Sequence, residues 1–297
     1  MPELPEVETT RRELERVIVG RRVVTAYVGK PKMIVEPGSL RLTDIVGARF
    51  QAIGRRAKYF IFSFDRPATL LVHLKLSGQL VVRRGDQTLA AGGHPVPRFD
   101  TPLPHRATHG RFDLDDGLTL WMTDIRQFGR FIILDRSDVD GYFADRRLGV
   151  EPLVSEFTVD ALAQALAPHR MLPIKAALLD QTNVAGLGNI YVDEALFASR
   201  LHPLRAAASL TPTELATLHT EIRSVLSYAI QNGVAELPAG KVDPDSNFPR
   251  AHGRFSLPCL FCGTTMARIQ VAGRSTDYCP TCQGQSSTGK NPHERVG

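Results

Sequence analysis

Met1-Pro-Glu-Leu-Pro-Glu-Val-Glu-Thr-Thr10 places a proline directly behind the first methionine and a glutamate directly behind that. Two readings of this stretch lead to different proteins. In one, it begins an ordinary surface helix, because proline suits the first helical turn and acidic side chains suit its positive end. In the other, Met1 is removed and Pro2 becomes a free secondary amine. An N-terminal amine titrates nearer neutrality than a lysine, so it can act as a nucleophile, and Glu3 beside it can move protons. Leu4, Val7, Leu14 and Ile18 fall near one stripe, with Arg11, Arg12, Glu13, Glu15 and Arg16 mostly off it, which predicts a packed helix over 4–18. Glu3 and Glu6 share a face of that turn. The terminus is anchored under either reading.

Outward from this helix, the pattern over 22–134 becomes short β-branched or apolar runs. Arg22–Val28, Ile45–Ile53, Tyr59–Phe64, Thr69–Leu74, Gln79–Val82, Arg111–Leu114, Thr119–Met122 and Phe131–Leu134 read as strands, with turn signals at Gly54, Asp65–Pro67 and Asp115–Gly117. Strands with no helix between them predict a sandwich or barrel-like β domain. The Pro- and Gly-rich stretch Arg83–Thr108 reads as a long exposed loop.

Helices follow a linker at 149–157. Thr158–Ala167 is capped by Thr158, Ile174–Gln181 is a second helix, and Asn189–Ser199 is a third that ends at His202-Pro203. Thr211-Pro-Thr-Glu214 is a capping box with proline at the first helical position, and an apolar stripe runs from Leu215 to Ala229. The expected domains are 1–148, 158–248 and 249–284, with a disordered polar tail over 285–297.

Composition narrows the partners. The 297-residue chain carries a net charge of +5 and a pI of about 9.2, a balance that favours a polyanion. No apolar run reaches transmembrane length and the start lacks a signal-peptide pattern, so a cytoplasmic protein with no membrane partner is expected. All 4 cysteines cluster as Cys259-x2-Cys262-x16-Cys279-x2-Cys282. Two thiolate pairs at this spacing make a closed tetrahedral site in a reducing compartment, and one structural Zn2+ is its default occupant. Between the pairs, alternating residues around Ile269 and Val271 predict a hairpin with Arg274 near its tip. That arginine is either a solvated turn residue or a phosphate grip.

Three further places carry candidate chemistry. Asn183–Glu194 runs from a glycine turn into a helix, so Asn189 is either a simple cap or a phosphate ligand. Arg55-Arg-Ala-Lys58 is a basic turn, and His73-Leu-Lys-Leu76-Ser-Gly78 leaves a strand. Asp124-Ile-Arg126-Gln-Phe128-Gly-Arg130 interleaves basic, aromatic and glycine residues. Separately these are ordinary solvated charges and core rings. Together they make a basic surface with apolar tips, suited to a nucleic-acid backbone and base stack.

The chain resembles the formamidopyrimidine-DNA glycosylases. The resemblance rests on Pro2–Val7, Arg55–Tyr59, His73–Gly78, Arg126–Gly129, Gly149–Pro152, Val184–Glu194, His202-Pro203 and the cysteine hairpin through Gln283. These segments span nearly the whole chain in the family's order. The resemblance implies an α+β multidomain fold: an N-terminal β-sandwich with flanking helices, then a helical domain with a helix–two-turn–helix motif and a β-hairpin zinc finger. The implied partner is double-stranded DNA with oxidised bases or abasic sites, lying between the domains and bound by a monomer associated with the bacterial nucleoid.

It also implies residue roles. Pro2 is the expected nucleophile at the sugar C1′ of a flipped nucleotide, Glu3 the acid/base and Glu6 a support. Lys58, His73, Asn189 and Arg274 are expected phosphate grips, with Lys58 and Arg274 also counted as catalytic. Leu76, Arg126 and Phe128 are expected to fill the gap and face the orphaned base. The implied activity is a glycosylase/lyase for oxidised purines. An endonuclease VIII-like enzyme for oxidised pyrimidines and a non-catalytic zinc-finger DNA-binding protein are the alternatives. Two segments depart from the family pattern: Leu76 stands where methionine is usual, and Glu236–Arg250 reads unlike the usual lesion-capping loop. Leucine is shorter-reaching and stiffer than methionine. Leu76→Met is expected to keep activity but change strand bending or lesion search, so identical DNA affinity and turnover in the variant would contradict a wedge role.

Overall fold

The computed structural model describes residues 1–232 and 242–284. It divides into two units, Met1–Arg147 and Leu148–Gly297. The first part of the unusual Glu236–Arg250 segment and the tail beyond Gly284 lie outside the described residues.

The first unit begins with helix α1 (Leu4–Ile18), whose apolar stripe is fully buried. Strands β1 (Val23–Val28), β2 (Ile34–Val35), β3 (Phe50–Arg56), β4 (Tyr59–Phe64) and β5 (Ala68–His73) follow. Then come β6 (Gly78–Arg84), β7 (Gln87–Gly93), β8 (Thr108–Leu114), β9 (Leu118–Asp124) and β10 (Arg130–Asp135), and helix α2 (Val139–Asp145). They form two five-stranded sheets, ordered β1-β8-β9-β6-β7 and β2-β10-β5-β4-β3. One core joins the inner faces, with the rings of Phe112 on β8 and Phe131 on β10 5.7 Å apart. Alternating residues on each strand supply these two apolar faces, which is why the unit folds as a sandwich.

The structure departs from the sequence reading in four places. Ile45 closes a short 3-10 turn, Leu42–Ile45, and the next strand starts only at Phe50, because Gly47 turns the chain at φ +81°. The short β2 runs parallel to β10 and was hidden by its length. Helix α2 was not anticipated. Finally, the supposed loop Arg83–Thr108 contains β7, paired antiparallel with β6.

The reason β7 escaped notice also explains its position. It is built from Leu89-Ala-Ala-Gly-Gly93, small residues with weak strand preference. Helix α1 packs directly on it, and a Cβ on Gly92 would come within 1.8 Å of the Thr10 hydroxyl. Thr10 is buried and its hydroxyl donates to the Glu6 carbonyl at 2.7 Å, so it cannot swing aside without cost. Gly92 thus sets how closely α1 lies on the sheet.

In the second unit, α3 (Val159–Leu166) is capped by Thr158, whose hydroxyl accepts from Ala161 N–H at 3.1 Å. Helices α4 (Ile174–Leu179) and α5 (Asn189–Ala198) follow, then α6 (Pro212–Asn232) behind its predicted capping box. Leu178, Val192, Leu196, Leu218, Ile222 and Leu226 knit these helices into one core. The last two described strands form the hairpin β11 (Ala267–Val271) and β12 (Arg274–Tyr278). Ala272 and Gly273 occupy its turn with φ of +50° and +71°. Arg274 therefore opens β12, paired with Val271 and next to the tip, as the sequence reading expected.

Substituting Gly92→Ala is expected to cost about 1–3 kcal/mol by overpacking α1 against β7. Urea denaturation should show part of that loss recovered in the Gly92→Ala/Thr10→Ala double variant, and independent effects would contradict the packing.

Candidate active site and nucleic-acid interface

At the start of the first unit, Pro2 is buried and Glu3 is the N-cap of α1. The Glu3 N–H, at the helix start, donates to the Glu6 carboxylate at 2.9 Å. Glu6 therefore supports the backbone next to Pro2 directly. Both carboxylates are almost entirely buried. Two residues further, Glu8 gathers Arg11, Arg12 and Arg55. Burial alone would raise its pKa, but hydrogen bonds from these guanidiniums hold it down at about 2. Arg55 also reaches the Ala57 carbonyl at 3.0 Å. It fixes the β3–β4 turn, where Ala57 sits at φ +52° and Lys58 is buried. The arginine read as part of a basic turn is thus spent inside the fold, holding Lys58 in place.

His73 ends β5, flanked across the sheet by Tyr59 and Arg130. Its Nδ1 accepts the Lys75 N–H at 2.9 Å, so Nε2 carries the proton. Burial, then the nearby Lys75 and Lys58 ammonium groups, push its pKa down to about 3. His73 is a neutral N–H donor near these lysines. Tyr59 stands edge-on to it at 4.4 Å, backed by Phe143 of α2 at 5.4 Å.

Leu76 sits half-buried in the turn between β5 and β6. Arg126 and Phe128 sit in the turn between β9 and β10, both exposed, with the guanidinium 5.1 Å from the ring centre. One acidic residue ties these turns together. Asp124 is fully buried and accepts from Ser77 Oγ, Arg126 N–H (3.0 Å) and Gly129 N–H (2.7 Å). A carboxylate inside a run of basic and turn residues was the available signal for this anchor.

In the second unit the structure joins Asn189 to the strand that carries Arg274. Asn189 is the first residue of α5 and is no cap for its own helix: its amide donates to the Ser275 carbonyl at 2.9 Å. Lys175 of α4 donates to the same oxygen at 3.2 Å and to Asp193 at 2.6 Å. Asp193 also receives His252 Nδ1 at 2.8 Å. Its neighbour Glu194 accepts backbone N–H groups from Arg250, Ala251 and His252. Lys175, Asp193 and Glu194 were missed, although three ionisable residues on otherwise apolar helices were visible. Arg274 itself is exposed.

The four cysteines converge. Their sulfurs all lie within 4.8 Å of one another, with Cys259–Cys282 at 3.8 Å and Cys262–Cys279 at 3.4 Å. Four thiolates about 2.3 Å from one tetrahedral ion would stand about 3.8 Å apart, so the set fits a structural metal. Burial and the neighbouring sulfurs push the Cys282 thiol far up, whereas hydrogen bonding with Thr264 brings the Cys262 thiol down to about 6. Gln283 braces the knuckle by accepting from Cys279 N–H and donating to the Leu201 carbonyl, both at 2.9 Å.

Comparisons with known proteins agree with this anatomy. Residues 1–131 match the formamidopyrimidine-DNA glycosylase N-terminal domain, 148–238 its H2TH domain, and 256–284 a zinc finger found in FPG and IleRS. The chain is 37% identical over 291 residues to the formamidopyrimidine-DNA glycosylase of Streptococcus mutans, covering 96% of this chain and 100% of that one. It is 41% identical over 289 residues to that of Chloroflexus aurantiacus, covering 95% and 98%. Among solved structures, the Lactococcus lactis Fpg in complex with N7-benzyl-Fapy-dG DNA superposes with a TM-score of 0.83 at 32% identity, covering 96% and 100%. The same enzyme bound to abasic-site DNA gives 0.82 at 32%, covering 95% and 100%. Fold and modules together define a DNA-repair glycosylase with a zinc-finger domain. The chain belongs to the formamidopyrimidine-DNA glycosylase family, whose members combine glycosylase and lyase activity.

Because the folded pKa of His73 lies well below its ordinary 6.5, the unfolded chain binds the extra proton first. The stabilisation is complete above about pH 6.5 and declines as pH falls toward 3. His73→Gln should flatten that part of the stability–pH curve, and an NMR titration should find the imidazole neutral from pH 8 to 5. Protonation of His73 near pH 6.5 would contradict the geometry.

Proposed function

We propose that this enzyme excises oxidised purines, 8-oxoguanine and formamidopyrimidines, from duplex DNA and then cuts the strand at the resulting site. The Pro2 nitrogen attacks C1′ of the flipped nucleotide, and the bond from C1′ to the base breaks. The base leaves with the bonding electrons and takes up a proton. Loss of the remaining amine proton and opening of the sugar ring at O4′ give an iminium, with Glu3 delivering the proton to O4′. The iminium acidifies the C2′ hydrogen, so a base can remove it while the C3′–O3′ bond breaks and releases the 3′ phosphate. A second elimination releases the 5′ side and leaves a one-nucleotide gap. Glu6 keeps the Pro2–Glu3 backbone in place throughout.

The observation that carries this reading is the buried helix start: a terminus with its first amide satisfied by Glu6 can hold a nucleophile still. The phosphate grips follow from the same assignment. Lys58 and His73 take the backbone on the first unit, Asn189 and Arg274 on the second, and Leu76, Arg126 and Phe128 fill the void. We assign Zn2+ to Cys259, Cys262, Cys279 and Cys282. It holds the knuckle that carries the Arg274 strand and leaves no ligand position for chemistry. Relatives solved with abasic-site and Fapy-dG DNA support the substrate class.

Borohydride reduction during reaction with an 8-oxoguanine duplex should trap a covalent protein–DNA adduct whose linkage maps to Pro2, on chains whose mass shows Met1 removed. Absence of an adduct, or full activity with Met1 retained, would overturn the mechanism. A panel of lesions decides the substrate, and a preference for oxidised pyrimidines would favour the endonuclease VIII-like alternative.

A further inference from the structure

Two turns leave the same end of one sheet. β9 ends at Asp124 and β6 begins at Gly78, and these two residues pair in the antiparallel register. The turn carrying Leu76 therefore starts opposite the turn carrying Arg126 and Phe128. Each turn is tight: Lys75 sits at φ +55°, Gln127 at φ +56°, and Gly78 N–H closes onto the Leu74 carbonyl at 3.0 Å. A Cβ on Gly78 would fall 2.5 Å from that carbonyl, so the first turn admits only glycine there.

Between them lies one fully buried carboxylate. Asp124 takes the Ser77 hydroxyl from the Leu76 turn, and the Arg126 and Gly129 N–H groups from its own turn. Ser77 Oγ in turn accepts the Arg126 N–H at 3.0 Å. The backbone of Asp124 is clamped by β8 and the residues before it: its N–H donates to the Ala107 carbonyl at 2.8 Å, and its carbonyl accepts from His109 Nε2 at 3.0 Å. A buried carboxylate with every donor aligned is rigid, and loss of any donor leaves an unsatisfied charge.

We infer that Ser77 and Asp124 are positioning residues that lock the Leu76 turn and the Arg126–Phe128 turn into one body, so that gap filling and reading of the orphaned base occur as a single insertion. The inference rests on the proposed function, in which those turns enter the duplex. Its consequence is specific. The lock matters where a base must be displaced from a stack and its partner recognised. It does not matter where the sugar is already accessible, as at an abasic site in a single strand. Opposite-base discrimination belongs to the locked pair of turns, since a wedge moving independently of the reader can open the duplex without sensing the partner base.

The test compares wild type and Ser77→Ala on two substrates: an oxidised-purine duplex with each of the four opposite bases, and a single-stranded oligonucleotide with an abasic site. Loss of one buried hydrogen bond should lower duplex excision about 10-fold and narrow the spread between opposite bases, with single-strand cleavage held within about 2-fold. Ser77→Thr, which keeps the hydroxyl, should restore the spread. Asp124→Asn turns an amide donor toward donors and should give a larger duplex loss with the same pattern. A Ser77→Ala enzyme with wild-type opposite-base spread, or one that falls equally on both substrates, overturns the lock. A wild-type chain inert on both substrates would overturn the proposed function itself.

Discussion

A chain terminus that is to react must be held as firmly as a core residue, although it has covalent backbone on one side only. In the proposed mechanism that terminus is Pro2, and the hydrogen bond from Glu3 N–H to the Glu6 carboxylate would meet the constraint. The first amides of a helix lack partners within it, and leaving one unmet in a buried site costs about 1–3 kcal/mol. Satisfying it with a side chain one turn ahead lets α1 begin immediately behind Pro2. The rest of the first unit serves that placement. Gly92 lets α1 lie close on β7, Leu14 and Ile18 seat it on the sandwich, and Glu8 ties it to Arg55 and so to the turn holding Lys58.

The second unit solves a related problem by burying charge. Lys175 and Asp193 are both fully buried and 2.6 Å apart. Such a pair gains little over an apolar pair of the same shape, but removing either partner would cost about 3–5 kcal/mol. Its value lies in direction. The ammonium is shared with the Ser275 carbonyl, which Asn189 also holds, so the backbone next to Arg274 is fixed by α4 and α5 together. Glu194 does the same for residues 250–252 through three backbone N–H groups. A short hairpin has little core of its own. It borrows rigidity from buried polar contacts on one side and the four-cysteine knuckle on the other.

Much of this was legible in the sequence, because periodicity and spacing report directly on burial and ligation. The α1 stripe, the capping box at Thr211–Glu214 and the cysteine spacing each have one strong physical meaning. The strand β7 was illegible because its small residues are chosen for fit beneath α1, a contact between segments about 80 residues apart that no local propensity encodes. Asp124 and Lys175 were overlooked for a different reason. In sequence, a charged residue reads as solvent-facing, and only the fold shows that its partners have been gathered around it. Arg55 shows the converse error, since a run of basic residues suggested an anion-binding turn and the structure turns one of them inward to Glu8.

That correction changes how the positive charge of the chain should be counted. Formal charge treats every cation alike, yet a guanidinium already paired with a buried carboxylate contributes little to the attraction of a polyanion. Arg11, Arg12 and Arg55 all pair with Glu8, Arg11 also pairs with Glu15, and Arg268 is held bidentately by Asp277. By contrast, Lys75, Arg130 and Arg146 stand near one another: burial, then Arg130 and Arg146, depress the Lys75 ammonium. Arg130 and Arg146 spend their hydrogen bonds on backbone carbonyls and neither meets a carboxylate among the described residues. Crowded cations without acids are unfavourable by themselves and are relieved when an anion arrives. The neutral His73 between Tyr59 and Arg130 fits the same economy, since a donor without charge adds a directed hydrogen bond without adding to the repulsion. In the proposed function, the distribution of unpaired charge, more than its sum, is what this end of the sandwich would offer a phosphate backbone.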